Sequence, residues 1–265
     1  MLPLVVAILL QTRFAAPDAG LATAALASPR PRDCRGAVGD GMWSRMRGAD
    51  AQRYCDLLAR GYARLQQTPS EAFSAAQAAQ ALAGPLPAVR VLTGRAELRL
   101  GQGANAFQEF AQADAQDAQA FVDPKALHDY ARAASLAGKS TEAVRLYRLL
   151  VSRAALLDDS REAAFVQIEA AAHVLLFAPA GVDEALGYLA QARRQSLGLS
   201  AWVEGLRLVA LRRAGRTEPR ASKALLPSAA ALAVPGVEVP LLPPALLEAV
   251  RAALAEPASR KAKTR

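Results

Sequence analysis

Aromatic residues make up only 5% of this 265-residue chain, which has two cysteines, two histidines and three methionines. Side chains that favour strands are scarce, whereas 63 alanines and 38 leucines fill 101 positions. Alanine and leucine are strong helix formers, so an all-β fold is not expected. No run of about 18 apolar residues occurs, and no mature helix is expected to span a membrane. So few histidines and cysteines leave little from which to build a metal centre or an activated nucleophile. No cofactor is expected.

A stacking surface for nucleic acid is missing as well. The net charge is +8, but Arg260, Lys261, Lys263 and Arg265 supply half of it. Of the 32 basic residues 27 are arginine, and they recur among alanine and leucine rather than among aromatics. Binders of single strands interleave cations with aromatic platforms, so nucleic acid is not an expected partner. The hydrophobic share of 52% is ample for the core of one large or two small domains.

Leu2–Leu10 is an apolar run of signal-peptide length, and Leu21–Ala27 ends in Ala-Leu-Ala before Ser28. Residues 1–27 therefore read as an export signal, although no basic residue precedes the apolar run. Pro31-Arg32-Asp33 does not match a lipidation signal before Cys34. Export puts the chain in the periplasm or outside the cell, where an even number of cysteines favours a disulfide. Cys34 and Cys55, 21 apart, are expected to be bonded, tying the irregular segment 28–50 onto the first helix as a cap. The alternative is a cytoplasmic chain whose apolar N-terminus packs.

From about residue 51 the pattern is helix-period. Turn residues interrupt it at Gln67–Pro69, Gly84–Pro87, Gly101–Gly103, Asp123-Pro124, Gly138–Ser140, Asp158–Ser160, Ala178–Val182 and Ser196–Ser200. The segments between are about 12–16 residues long, ordinary helix lengths, and short turns make neighbours antiparallel. These helices come in similar pairs. Gly94 is followed by Gly101, Ala106, Phe110 and Ala113, and Ala131 by Gly138, Ala143, Tyr147 and Leu150 at the same steps. A small residue lets the second helix approach, the glycine permits a tight turn, and Ala shares a face with the aromatic four residues on.

Ala106-x3-Phe110, Ala143-x3-Tyr147 and Leu58-Ala59-x2-Tyr62, with Ala72-x3-Ala76 and Ala185-x3-Leu189 as degenerate copies, resemble the tetratricopeptide repeat (TPR), a 34-residue helix–turn–helix. The alanine spacings are 34, 37 and 42, the longer two implying insertions near 121–123 and 177–181. The resemblance implies an all-α, right-handed superhelical solenoid of antiparallel helical hairpins over 51–232. It also implies a non-enzymatic scaffold or adaptor that takes a protein or peptide partner in a concave groove, in an exported chain for an envelope assembly. Residues 233–256 read as a proline-rich crossing and a capping helix, and 257–265 as a disordered basic tail.

Several fragments imitate chemistry. Gly101-x-Gly103-x2-Ala106 lacks the strand that a dinucleotide fingerprint needs, and Gly138-Lys139-Ser140 lacks the earlier glycine of a phosphate loop. Both are inter-helix turns. His128 and His173 are 45 apart with no thiol pair nearby, and read as surface or packing residues. An envelope-polymer hydrolase on a helical solenoid is the alternative reading, and it requires convergent carboxylates such as Glu97 and Glu109.

In this family the groove is built mainly from the first helix of each hairpin. One residue after the small position stand Arg60, Arg95 and Arg132, and four further on come Arg64, Arg99 and Leu136. Two turns earlier the matching slots hold Arg53, Ala88 and Lys125. An arginine-lined groove with few acids besides Asp56 is expected to attract an acidic or carboxylate-terminated partner.

Overall fold

The structure, a computed structural model, describes Cys34 and residues 48–157, 159–178, 180–216 and 240–255. Among these residues the chain is all-helical and has no strand. The helices are α1 (Gly48–Arg64), α2 (Pro69–Ala83), α3 (Pro87–Arg99), α4 (Gly103–Gln116), α5 (Pro124–Leu136), α6 (Ser140–Ser152), α7 (Ser160–Phe177), α8 (Val182–Gln195), α9 (Ser200–Arg213) and α10 (Pro244–Ala255). Each expected break falls at a helix boundary. The export segment 1–27, the crossing up to residue 239 and the tail 257–265 lie outside the described residues, as does segment 28–47 apart from Cys34. Among the described residues no helix is long and apolar enough to cross a membrane.

Local chemistry explains the boundaries. Prolines open α2, α3, α5 and α10, where a missing N–H costs nothing. Asp123 and Asp159 cap α5 and α7, accepting from the backbone N–H groups of Lys125 (3.0 Å) and Arg161 (2.8 Å). α3 and α5 stop at Gly101 and Gly138, whose φ angles of 79° and 69° suit glycine. The N–H groups of Gln102 and Lys139 then reach back to the carbonyls of Glu97 and Ala134.

Consecutive helices pack on one another from α1 to α10, and odd-numbered helices also meet, α3 touching α1 and α5, and α7 touching α9. Side chains make the link between α5 and α7. Lys125–Glu162, His128–Glu169 and Ser135–His173 follow in the same order on both helices, so α5 and α7 run in one direction. Three apolar clusters fill the interior. Tyr54, Leu58 and Leu92 centre the first, Phe110, Tyr130 and Tyr147 the second, and Ile168, Leu189 and Leu206 the third.

Phe110 and Tyr147 are fully buried, as is Ala131, and a Cβ on Gly94 would stand 2.8 Å from the Phe110 ring. The first pair departs from the expected register. Ala59 is exposed, and Gly61 is the small residue buried there, against Leu92 of α3. The buried stripe of α1 runs through Tyr54, Leu58 and Gly61, which turns Ala59 outward. The long third spacing is taken up inside a helix, since α7 has 18 residues where α3 and α5 have 13. Cys34 and Cys55 are bonded, with Cα atoms 5.7 Å apart, which fixes the residue before the helices to α1.

Candidate functional site

Helices α3, α5 and α7 bring charged side chains to a common face. There α3, α5 and α7 wall a cavity of about 690 Å³, with Gln66 from the turn after α1 on its lining. Four of the expected groove residues meet in it: Arg95 and Arg99 from α3, and Lys125 and Arg132 from α5. Arg53, Arg60 and Arg64 do not line it. Arg53 and Arg60 are exposed on α1, because their slots were counted from Ala59, which is itself outside the packed register. Arg64 lies 3.5 Å from Glu71 at the start of α2.

The cavity is not a ladder of arginines with few acids. Asp129 on α5 accepts from Arg95 Nε at 2.7 Å and from Arg99 Nη1 at 3.0 Å. Burial opposes both charges. The Asp129 carboxylate nevertheless raises the Arg95 pKa, and Arg95 with Arg99 holds Asp129 below the usual carboxylate range. The reason the acid escapes a single-helix reading is its origin one odd helix further on.

Glu169, in the middle of α7, is the second such acid and is fully buried. Its Oε2 accepts from His128 Nε2 at 2.7 Å and Tyr147 Oη at 3.0 Å. Its Oε1 accepts from Arg132 Nη2 at 2.7 Å and from the backbone N–H of Leu241 at 2.7 Å. Burial works against the charge, but Arg132 and His128 outweigh it and keep Glu169 well below its ordinary value. One turn on, His173 Nδ1 bonds the Glu169 carbonyl and its Nε2 meets Ser135 Oγ, both at 2.7 Å. Burial lowers the His173 pKa, so the ring is neutral, its Nδ1–H donates to the carbonyl and Ser135 donates to Nε2. Both histidines are buried polar stitches between α5 and α7.

Arg161 and Phe165, one turn apart on α7, were not singled out by sequence. The Arg161 guanidinium lies 5.6 Å over the Phe165 ring, both line the cavity, and Arg161 makes no ion pair among the described residues. It is an exposed cation of the site. The acids stand 34 and 37 residues after their arginines, Arg95 to Asp129 and Arg132 to Glu169, so each comes from the next odd-numbered helix. Among the described residues no three His, Cys, Asp or Glu side chains gather as metal ligands.

Glu97 and Glu109 do not line the cavity. Glu109 pairs with Arg90 at 2.8 Å, whereas Glu97 is buried and its Oε2 has no hydrogen-bond partner. Burial and the neighbouring Glu109 charge push the Glu97 pKa up from 4.5 to about 7. A folded-state value above the unfolded one means that stability is fully present below about pH 4.5 and is lost as the pH rises through about 7. Glu97→Gln is expected to stabilise the chain by about 2 kcal/mol at pH 8 and to leave it little changed at pH 4.5. Urea titrations at both pH values check this, and equal midpoints at pH 8 would refute it.

Comparison with family models, with curated proteins and with solved structures gives no match for this chain.

Proposed function

We propose that the chain is an exported, non-enzymatic binding scaffold: a right-handed, TPR-like solenoid whose odd-numbered helices form the concave face. The observation that carries this reading is the cavity of about 690 Å³ on that face, where charged side chains of α3, α5 and α7 converge. Asp129 and Glu169 hold the inner arginines in place, and the outer cation Arg161 has its guanidinium spread on an aromatic ring. Fixed guanidinium planes favour bidentate contact with carboxylates, so the partner is a protein segment that presents acidic side chains or a free C-terminus. The disulfide supports an oxidising compartment and hence export.

A photo-crosslinking residue at Gln66, inside the cavity, or at Gln108, exposed on α4, tests this in extracts of the native host. A discrete adduct is expected from position 66 and not from 108, and Arg99→Ala with Arg161→Ala should abolish it. Adducts from 108 alone, or adducts at 66 that ignore the double substitution, defeat the reading.

A further inference from the structure

The row of odd-numbered helices is open at the cavity but covered at its far end by the chain's own C-terminal stretch. Pro240 and Leu242 are buried, the Leu241 N–H donates to Glu169 Oε1, and α10 lies on α9 with Val250 over Gly205. A Cβ on Gly205 would come within 2.5 Å of Val250, so the glycine leaves a notch that the valine fills. Oε1 of Glu169 also accepts from Arg132, a cavity residue. The covered and open parts of the row therefore meet at a single oxygen.

We propose that residues 240–255 are a displaceable occupant, and that α7 and α9 form a docking surface for a partner segment of the same chemistry: an extended proline-leucine stretch running into a short amphipathic helix. This rests on reading the row as a binding face. The manner of attachment supports it. The polar contact uses a backbone N–H, which any extended segment offers, and the apolar contacts come from Leu242, Leu246 and Val250 at spacings that a second amphipathic helix can reproduce. α10 has 12 residues, a length that is marginal as a free helix in water. Its folding and its docking are thus one equilibrium, open to competition by another segment. The surface beneath is preformed, because α7 and α9 also belong to the core shared with α8.

The probe is a fluorescein-labelled peptide of residues 238–256, added to the full chain. Val250→Asp and Leu246→Asp each undock α10 by changing the occupant alone, leaving the surface on α7 and α9 and the cavity untouched. Either variant should bind the peptide at least about tenfold more tightly than the parent, whose own copy occupies the surface. Methylating the backbone nitrogen of Leu241 in the peptide removes the donor to Glu169 and should weaken binding about five- to tenfold. Equal binding by parent and variants, or no effect of the methyl group, overturns the proposal.

If neither variant folds, a protease site between residues 225 and 230 of the full chain serves instead. After cleavage of the folded protein, the labelled peptide should replace the resident fragment. A fragment that stays bound through a day with excess peptide marks a permanent structural piece and overturns the proposal. The Gln66 crosslink reads the cavity alone, so failure there and failure here are separate results.

Discussion

Glu169→Ala is expected to cost about 3–5 kcal/mol of folding stability. The substitution leaves Arg132 and His128 without their acceptor in the interior, and strands the Tyr147 hydroxyl and the Leu241 N–H with them. Donors stripped of their acceptor, one of them on a half-buried guanidinium, cost more than the methylene groups that are lost. Replacing Glu169, Arg132 and His128 together by apolar residues should cost less, because the three groups that pair with one another are then removed together. Urea unfolding at pH 7 measures both, and a loss under about 1 kcal/mol for the alanine variant would show that Glu169 is not the centre of this network. The pH dependence has a definite sign. Because the folded-state value of Glu169 lies below its unfolded 4.5, its contribution is present above about pH 4.5 and disappears as the pH falls further.

Removing the Cys34–Cys55 bond, by Cys34→Ser with Cys55→Ser, is expected to cost about 3 kcal/mol. The bond closes a loop of sequence separation 21, and most of the effect comes from the freedom returned to the unfolded chain. Guanidinium titrations of the oxidised chain and of the double variant give the difference directly. A change below about 1 kcal/mol would mean that the unfolded chain keeps this loop closed without the bond. Glu169 and the disulfide lie in different core clusters and share no partner, so the two losses should add.

The parts of the fold that could be read from the sequence are those with a local cause. Gly101 and Gly138 end helices because the chain there needs a left-handed residue, and Pro87 and Pro124 begin them because the first turn tolerates a missing donor. Phe110 and Tyr147 were visible as core because their spacing from Ala106 and Ala143 keeps them on one face. Two cysteines could pair only with each other. What could not be read depends on register between helices. One-helix counting placed Arg60 beside Arg95, but the buried stripe of α1 passes through Gly61 and turns Ala59 away. The same counting showed arginines without their acids, since Asp129 and Glu169 arrive from neighbouring odd helices. Arg161 and Phe165 form part of the cavity because α7 begins beside Lys125, a fact of packing rather than of pattern.

The shared direction of α5 and α7 polarises the face they form. Each helix carries roughly half a unit of positive charge at its start and half a unit of negative charge at its end. Lys125 and Arg161 stand in the opening turns of the two helices beside Asp123, Asp159 and Glu162, so charge of both signs gathers at the positive ends of the dipoles. At the opposite edge the helices finish on Leu136 and Phe177, both exposed and uncharged. An elongated guest laid along these helices therefore has a preferred heading, its charged end toward the capped starts and its apolar end toward the glycine-turn side.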